Sequence, residues 1–343
     1  MNASGFNTTV LFYPNKNPKL RLFALWYFTV LMIIWNVLGH TVLGFEQSWA
    51  SPIVAISTAI AVQIALEWVD ARAKGRPLRF AGGWAPFLNF LPSALIPGFA
   101  CGMLLYPNER LWPIVFATTL AIASKVLLRA PVGEGHWQHV FNPSNLGVAV
   151  TLVLFPQVGF APPYHFTENI TGAWDWVLPA VVLVTGIIIH ALFTGRLLLC
   201  LAWVIGFVLQ GVLRAKFYGT PLYVPLMPMS SAAFILFTLY MIPDPATTPL
   251  KPLRQVAFGF SVAMVYGVLQ VLHLVFGLFF ALVTVCAIRG IALHVSAALE
   301  GVASRALRSQ PDSSARSPEP SPATPPATAQ PVPADHQQAD LIP

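Results

Sequence analysis

The sequence predicts an all-α membrane protein that crosses a lipid bilayer about ten times. Charged residues make up only 9% of the 343 residues and hydrophobic residues 56%, whereas soluble domains carry about a quarter charged residues. Uncharged stretches recur between residues 20 and 299, and a stretch of about 20 residues can cross a hydrocarbon core of about 30 Å. Because these runs are continuous rather than alternating, the spanning element is a helix and not a barrel strand.

Ten apolar segments are predicted as spanning helices. They lie at 20–44, 50–70, 84–106, 110–129, 145–161, 174–195, 197–217, 225–242, 255–272 and 274–298. The fifth is the shortest and ends near Pro156. Only His273 and Gly277 mark the boundary between the ninth and the tenth.

Orientation follows from the distribution of basic residues. With the N-terminus in the cytoplasm, 16 of the 19 Lys and Arg residues fall on the cytoplasmic side, and the outer side receives Arg110, Arg214 and Lys216. The positive-inside rule therefore predicts that both termini are cytoplasmic. The same clustering beside helix ends explains the net charge of +6. The expected partner is the lipid bilayer, and nucleic acid is excluded.

The chain divides into five parts. Residues 1–19 are a polar cytoplasmic segment unlike a signal peptide, 20–161 and 174–298 are two five-helix halves, and 162–173 form an external loop. Residues 304–343 are rich in Pro, Ser and Ala, and such a segment cannot bury enough apolar surface to fold. We expect a disordered tail, either a spacer or a docking segment.

An internal repeat relates the third and eighth predicted helices. At an offset of 136 residues, a set of prolines in the third helix region matches a set in the eighth, with Asn108 opposite Asp244. The matched pairs are Pro92 with Pro228, Pro107 with Pro243 and Pro113 with Pro249. Because five helices separate the copies, they have opposite orientations, which is typical of an inverted repeat. In such folds the interrupted helices meet at the functional site.

The segment FNPSN before the fifth helix is a first candidate site. Asn142 or Ser144 can cap the helix, and Pro143 suits its first turn. Capping does not explain Asn142, Ser144 and Asn145 together. A polar helix N-terminus also binds phosphate or another anion, so capping and a ligand or cofactor contact are both open.

A second candidate site follows the eighth helix. Asp244, Thr247 and Thr248 stand among three prolines near the cytoplasmic end, where Asp244 can cap a tight turn. Together with Ser230 and Ser231 they can instead form a polar wall for a bound group. No catalytic residue is assigned.

Other signatures are weak. Two histidines could ligate a haem, but the spacing of His40, His190 and His273 does not demand it, and packing histidines are commoner. Cys101 and Cys200 sit singly in apolar runs, as does Cys286, so neither a disulfide nor a metal site is predicted. The sequence contains no pattern for NADH or an iron–sulfur cluster.

The two polar segments resemble a known family. FNPSNLGVAVTLVLFP is similar to the NPxxxG…FP stretch of the NqrB/RnfD family of membrane electron-transport subunits. SSAAFILFTLYMIPDPATTPLKPLRQVAFG resembles that family's DPxxS/TP segment, and the matching residues are Asp244, Pro245, Thr248, Pro249, Arg254 and Gly259. The resemblance covers residues 13–298 and is greatest to the UnbU-type proteins of enediyne-biosynthesis gene clusters.

The resemblance implies ten helices in two inverted halves, a bacterial cytoplasmic membrane, and electron transfer through flavin with redox partner subunits. The family attaches FMN to the Thr of an S-G-A-T motif in the loop after the fifth helix. The corresponding residues here are Thr171, Gly172, Ala173 and Trp174. Trp174 has no hydroxyl to esterify, and Thr171 stands at the Ser position. We therefore expect a non-covalent flavin, or none.

Three functional hypotheses follow. The first is flavin-linked electron transfer across or within the membrane, tied to natural-product biosynthesis of the enediyne type. The second is a channel or exporter for a small solute without redox chemistry, which the same repeat and central site would serve. The third is a structural scaffold subunit, whose activity would not depend on the polar residues.

Overall fold

A computed structural model describes residues 17–133, 135–160, 169 and 171–308, and most of these residues are helical. The helices are α1 Pro18–Leu38, α2 Ala50–Ala73, α3 Trp84–Phe90, α4 Pro92–Leu104, α5 Trp112–Leu127, α6 Pro143–Leu154, α7 Val177–Ile189, α8 Leu197–Tyr218, α9 Tyr223–Leu226, α10 Ala232–Leu236, α11 Pro252–Val271 and α12 Gly277–Arg308. Short 3₁₀ turns precede α7 (Gly172–Trp176) and follow α9 (Met227–Ser230).

Seven helices of the described chain are long and apolar enough to cross a membrane. These spans are Lys19–Leu43, Ala50–Ala73, Trp84–Leu104, Gly172–Thr194, Leu197–Tyr218, Pro252–Val271 and Gly277–Gly301. The all-α, multi-pass membrane class predicted from the sequence is therefore confirmed.

Three of the ten predicted spans differ from simple crossings. Helices α5 and α6 have 16 and 12 residues and are about 24 and 18 Å long at 1.5 Å per residue. The eighth predicted span is a pair, Tyr223–Ser230 and Ala232–Met241, bent by 72°. Ser231 causes the break because its backbone is extended (φ −85°, ψ 142°) and its hydroxyl caps α10.

Two helix ends depart from the predicted ones for local reasons. Helix α6 ends at Leu154 rather than near 161, because Pro156 cannot donate a hydrogen bond and disfavours helical backbone at Phe155. Helix α12 continues to Arg308, past the predicted end at 298 and into the first residues of the predicted tail. Ala, Leu and Arg dominate this extension and are good helix formers. The rest of the tail, 309–343, lies outside the described residues.

Short antiparallel strands join some of the helix ends. Strand β1 (Leu105–Tyr106) pairs with β4 (Gly159–Phe160), so the loops after α4 and α6 meet. Strand β2 (Arg129–Pro131) pairs with β3 (Trp137–His139) and forms a hairpin between α5 and α6.

A π-helical turn ends each of two spans in the same way. Gly39–Leu43 follows α1, and His190–Thr194 follows α7. Each turn is closed by a left-handed glycine, Gly44 (φ 85°) or Gly195 (φ 62°). Glycine suits this conformation because it lacks the Cβ that would be strained there.

Small residues bring the helices into close contact, as is usual in membranes. A Cβ on Gly98 would lie 3.0 Å from that of Ala59, and one on Gly206 would lie 2.8 Å from that of Ala263. Aromatic rings fill the space between α8 and α10. The fully buried Trp203 packs against Phe234 and Phe237, and its indole Nε1 donates to the Thr238 hydroxyl, 2.9 Å away.

Candidate functional site

A cavity of about 1700 Å³ lies between α4 and the bent α9–α10 pair. Its wall also includes residues of α1, α6, α11 and α12, of the β2–β3 hairpin, of the turn between α7 and α8, and of the segment that follows α10. Most of the wall is apolar, and several aromatic rings contribute, including those of Phe28, Phe237 and Tyr240. A concave, mainly apolar space with a few polar groups is the usual form of a ligand site.

The cavity reaches from the segment before α11 to the segment after it, since Leu250 precedes the helix, Tyr266 and Gln270 lie near its end, and His273 follows it. Gln255 near the start of this helix donates from Nε2 to the carbonyl oxygen of Gly195, 3.2 Å away, which brings it beside Arg196. Gln270 and His273, at the far end of the helix, also line the cavity. At 1.5 Å per residue, Gln255 and Gln270 are about 22 Å apart along the helix. We name the two regions the Arg196 end and the His273 end.

Proline leaves main-chain carbonyls without helical partners in the π-helical turn Phe237–Met241, which follows α10 directly. Pro243 has no N–H to donate to the carbonyls of Thr238 and Leu239 in the preceding turns. Side chains from neighbouring elements donate instead. The Cys200 thiol lies 3.4 Å from the Thr238 oxygen, and His190 Nε2 lies 2.6 Å from the Leu239 oxygen.

The bond to Leu239 fixes the state of His190. A carbonyl can only accept, so Nε2 carries the proton, and Nδ1 accepts from the Thr194 hydroxyl, 2.6 Å away. Both ring nitrogens thus form hydrogen bonds within the protein. Among the described residues, no group of three or more His, Cys, Asp or Glu side chains could hold a metal ion.

Asn142 connects the start of α6 to the same region. Its Nδ2 donates to the carbonyl oxygen of Met241, 2.9 Å away. Pro245, four residues after Met241, has no N–H to donate to that oxygen. Its Oδ1 accepts from the Asn145 amide at 3.1 Å and from the Ser144 hydroxyl at 3.0 Å. The geometry is that of a helix cap. Capping, one of the two readings of FNPSN, therefore accounts for Asn142 and Ser144.

Asn145 has a different role. It is 1% exposed, and its Nδ2 donates to the carbonyl oxygen of Phe279 on α12, 3.1 Å away. Its Oδ1 is buried without a hydrogen-bond partner. Asn145 thus links α6 to α12 through a buried hydrogen bond.

Asp244 organises the turn after α10. Its Oδ1 accepts from the Ala246 amide at 3.1 Å, its Oδ2 accepts from the Thr247 hydroxyl at 3.3 Å, and its main-chain oxygen accepts from the Thr248 hydroxyl at 2.7 Å. His139 Nε2 lies 3.6 Å from Oδ2. Burial alone would raise the pKa of Asp244, but the ion-pair contact with His139, helped by the hydrogen bonds from Ala246 and Thr247, holds it below its usual 3.8.

Arg196 is fully buried at its end of the cavity. Its Nε donates to the Thr248 hydroxyl at 2.8 Å, and one Nη lies 3.4 Å from the carbonyl oxygens of Pro245 and Thr248. The other, Nη1, is buried without a partner. Burial lowers the pKa of Arg196 to about 10, so the guanidinium stays charged at neutral pH.

The Arg196 end of the cavity is basic. Four Lys or Arg side chains line the cavity: Arg21, Lys125, Arg129 and Arg196. Asp244 is the one carboxylate among the described lining residues, and it already interacts with His139.

The structure brings some of the predicted site residues together and leaves others apart. Asn142, Ser144, Ser231 and Asp244 line the cavity, and Thr247 and Thr248 are buried against Asp244. The hydroxyl of Ser231 caps α10. Ser230 and Thr171 are exposed and do not line the cavity.

Sequence reasoning did not assign Arg196 or Lys125 to the site. Both were interpreted as topology signals, because they lie near helix ends. Lys125 Nζ donates to the carbonyl oxygen of Ser93 at 2.6 Å and lies 3.3 Å from Gln63 Oε1. A lysine three residues inside an apolar run was the available signal, since an ionisable group in a membrane segment is costly unless it has partners or a function.

The fold and the cavity define a class: a multi-pass helical membrane protein with an internal, partly basic cavity. No protein-family model matches the chain, and no curated protein matches it.

Proposed function

We propose that this protein binds a flavin non-covalently in its cavity and passes electrons across or within the membrane. The observation that carries the proposal is the combination of a large, aromatic-lined cavity with a basic end that holds a buried, incompletely paired arginine. A bound flavin supplies reversible redox chemistry that no side chain provides. The protein contributes binding, orientation and exclusion of water.

The lining suits the two parts of FMN. Phe28, Phe237 and Tyr240 offer flat apolar surfaces to a ring system, and the rings of Phe28 and Tyr240 lie 5.3 Å apart. Arg196 and Lys125 offer positive charge to a phosphate. The unpaired Nη1 of Arg196 is a donor that an oxyanion would satisfy.

Covalent attachment at the external loop is not part of the proposal. Thr171 is exposed and lies outside the cavity lining, and Trp174 is 68% exposed on its 3₁₀ turn. Neither side chain belongs to the surface that we propose holds flavin.

The proposed architecture is ten membrane segments in two inverted halves, with both termini on the cytoplasmic side of a bacterial inner membrane. Two paired features support it. The third and eighth segments each carry a proline-associated irregularity, a single turn residue at Leu91 before Pro92 and the 72° bend at Ser231 after Pro228. The first and sixth each end in a π-helical turn closed by a left-handed glycine, Gly44 or Gly195. Partner subunits would supply and remove the electrons.

Purification in a neutral detergent tests the flavin proposal. The visible spectrum is recorded before and after acid precipitation, and also after FMN is added to the purified protein. We expect flavin absorbance that moves to the acid supernatant, because the flavin is not covalently bound. Flavin in neither fraction, together with no uptake of added FMN, contradicts the proposal.

A matched pair of variants ties flavin to the cavity. Ala100→Phe places a ring into the cavity wall, whereas Ala61→Phe adds the same ring on an exposed face of α2. We expect Ala100→Phe to lose flavin and Ala61→Phe to retain it. Equal flavin content in the two variants would place any flavin elsewhere.

A second candidate function is transport of a small solute without redox chemistry. It is favoured by the extent of the cavity, which reaches from Arg196 to His273. Solute flux into liposomes measures it. The control is Asp175→Ala, which removes an acid outside the cavity lining. If no flavin is bound, and Asp244→Ala abolishes flux while Asp175→Ala keeps it, the result decides for transport.

A further inference from the structure

We propose that the Arg196 end of the cavity is a binding subsite for a phosphate group, with the Arg196 guanidinium as its central donor. The inference rests on the proposed function in that both require a ligand in this cavity. It goes further in naming the charged group of that ligand and the end of the cavity at which it binds.

The first argument is the incomplete pairing of Arg196. The side chain is fully buried, yet the oxygens that it contacts, those of Thr248 and Pro245, are all neutral. No carboxylate of the described residues lies within 4.0 Å of it. The carboxylate of Asp244 acts on Arg196 only from beyond that distance, and a buried charge without a counter-charge in direct contact is costly. Nη1 is the one nitrogen of the group that has no partner, and it is covered by its neighbours. An anion that entered from the cavity and displaced those neighbours would supply both the charge and the acceptor.

The second argument is that Lys125, like Arg196, contacts only neutral acceptors. The ammonium of Lys125, which also lines the cavity, donates to the Ser93 carbonyl and hydroxyl and to Gln63 Oε1, all neutral. Two cations that contact only neutral acceptors therefore border one cavity. In a low-dielectric interior such charges attract an anion more strongly than in water.

The third argument concerns the groups that could compete with a ligand. Asp244 is the one carboxylate of the described lining, and its oxygens are used by His139, Ala246 and Thr247. The N-terminus of α6 is capped by its own Asn142. The arginine, and not the helix end, is thus the donor that is left for a ligand.

The charge of the lining favours phosphate over a single carboxylate. Arg21 and Arg129 add two further cations to the cavity wall. A phosphate monoester carries up to two negative charges and three acceptor oxygens, and a guanidinium matches its geometry. The phosphate could belong to a nucleotide such as FMN or to a lipid headgroup, and the chemistry of recognition is the same.

The test compares ligands that differ only in the phosphate. The purified full-length protein in neutral detergent is titrated with FMN and with riboflavin, which lacks the phosphate. Thermal unfolding is measured in potassium phosphate against potassium chloride of equal ionic strength, and in micelles with phosphatidic acid against phosphatidylcholine. The variants are Arg196→Gln, which removes the charge, and Arg196→Lys, which keeps it. Arg214→Gln is the control, since Arg214 lies at the other end of α8 and outside the cavity lining.

We expect wild type to bind FMN at least about tenfold more tightly than riboflavin, because a charged hydrogen bond contributes about 1.5–3 kcal/mol. The ratio of the riboflavin dissociation constant to the FMN dissociation constant should approach one in Arg196→Gln. It should recover partly in Arg196→Lys and stay unchanged in Arg214→Gln. If Arg196→Gln does not fold, the wild-type ratio and Arg196→Lys decide.

The outcomes also separate this inference from the flavin proposal. Equal binding of FMN and riboflavin by wild type, with no stabilisation by either phosphate source, overturns the phosphate subsite and leaves flavin binding intact. No flavin binding, with Arg196-dependent stabilisation by inorganic phosphate or phosphatidic acid, keeps the subsite and overturns the flavin proposal. Stabilisation by phosphatidic acid alone identifies a lipid headgroup as the source.

Discussion

The ammonium group of Lys125 donates a hydrogen bond of 2.6 Å to the main-chain oxygen of Ser93. Helix α4 contains Pro97, which has no N–H for the carbonyl four residues earlier, and that carbonyl belongs to Ser93. Lys125 therefore serves an acceptor that the proline leaves unpaired. At the turn before α4 the Ala94 amide donates to Leu91 instead of to Phe90. Gln63 Nε2 donates to the Phe90 oxygen in its place, at 2.8 Å.

This relationship predicts energetic coupling between Lys125 and Pro97. We expect Lys125→Met to lower the free energy of unfolding by about 1–3 kcal/mol, because the Ser93 oxygen loses its donor. In a Pro97→Ala background the new amide can pair with Ser93, so the cost should shrink by about 0.5 kcal/mol or more. Equilibrium unfolding of the four proteins of the cycle in mixed detergent measures the coupling. An identical cost of Lys125→Met in both backgrounds would contradict it.

Asn142 performs two tasks that substitution can separate. Asn142→Ser keeps an oxygen that can cap α6 but loses the donor to Met241, so we expect a cost of about 1–3 kcal/mol. Asn142→Ala also loses the cap and should cost about 1 kcal/mol more. Unfolding in mixed detergent gives both values. The control is Asn89→Ala at an exposed position, with an expected change within about 0.5 kcal/mol. Equal stability of the Ser and Ala variants would argue against the cap.

Two glycines allow helices to touch through their main chains. A Cβ on Gly147 of α6 would overlap the Ala117 oxygen of α5, and a Cβ on Gly259 of α11 would overlap the Leu199 oxygen of α8. We expect Gly147→Ala and Gly259→Ala each to cost about 1–3 kcal/mol, because backbone atoms cannot move aside easily. The thermal midpoint in detergent measures this.

The control for both glycines is Gly159→Ala. Its Cβ would meet the Tyr106 oxygen at an ordinary 3.8 Å. If Gly147→Ala has as high a thermal midpoint as Gly159→Ala, then α5 and α6 can move apart without loss of stability.

Hydropathy and charge were sufficient to predict most of the helices, because each long apolar run has to cover about the thickness of a bilayer. They could not predict the bend at Ser231. That bend depends on an extended backbone and a hydroxyl cap, and not on mean hydropathy. The sequence likewise placed Asn142 and Asp244 near helix ends, but their contacts to Met241 and His139 join distant parts of the chain.

Arg196 shows why the site could be predicted only in part. From sequence it is one basic residue at a helix boundary, just before α8, which is the usual position of a topology signal. Its full burial follows from the turn at 244–248 folding over it, with Thr248 and Pro245 as its partners. No local pattern contains that information, because the contacts are about 50 residues apart in sequence.

The depressed pKa of Asp244 predicts how the stability of the fold depends on pH. Its pKa is lower in the folded protein than the usual 3.8, since His139, Ala246 and Thr247 stabilise the carboxylate against the effect of burial. A group whose folded pKa is depressed contributes stability that is complete above its unfolded pKa of about 3.9 and is lost as the pH falls through the folded value. We therefore expect the wild-type thermal midpoint to fall more steeply below about pH 4 than that of Asp244→Asn. Asp175→Asn, outside the cavity lining, should retain the wild-type slope. Parallel curves for wild type and Asp244→Asn between about pH 3 and 6 would mean that the carboxylate is not stabilised by folding.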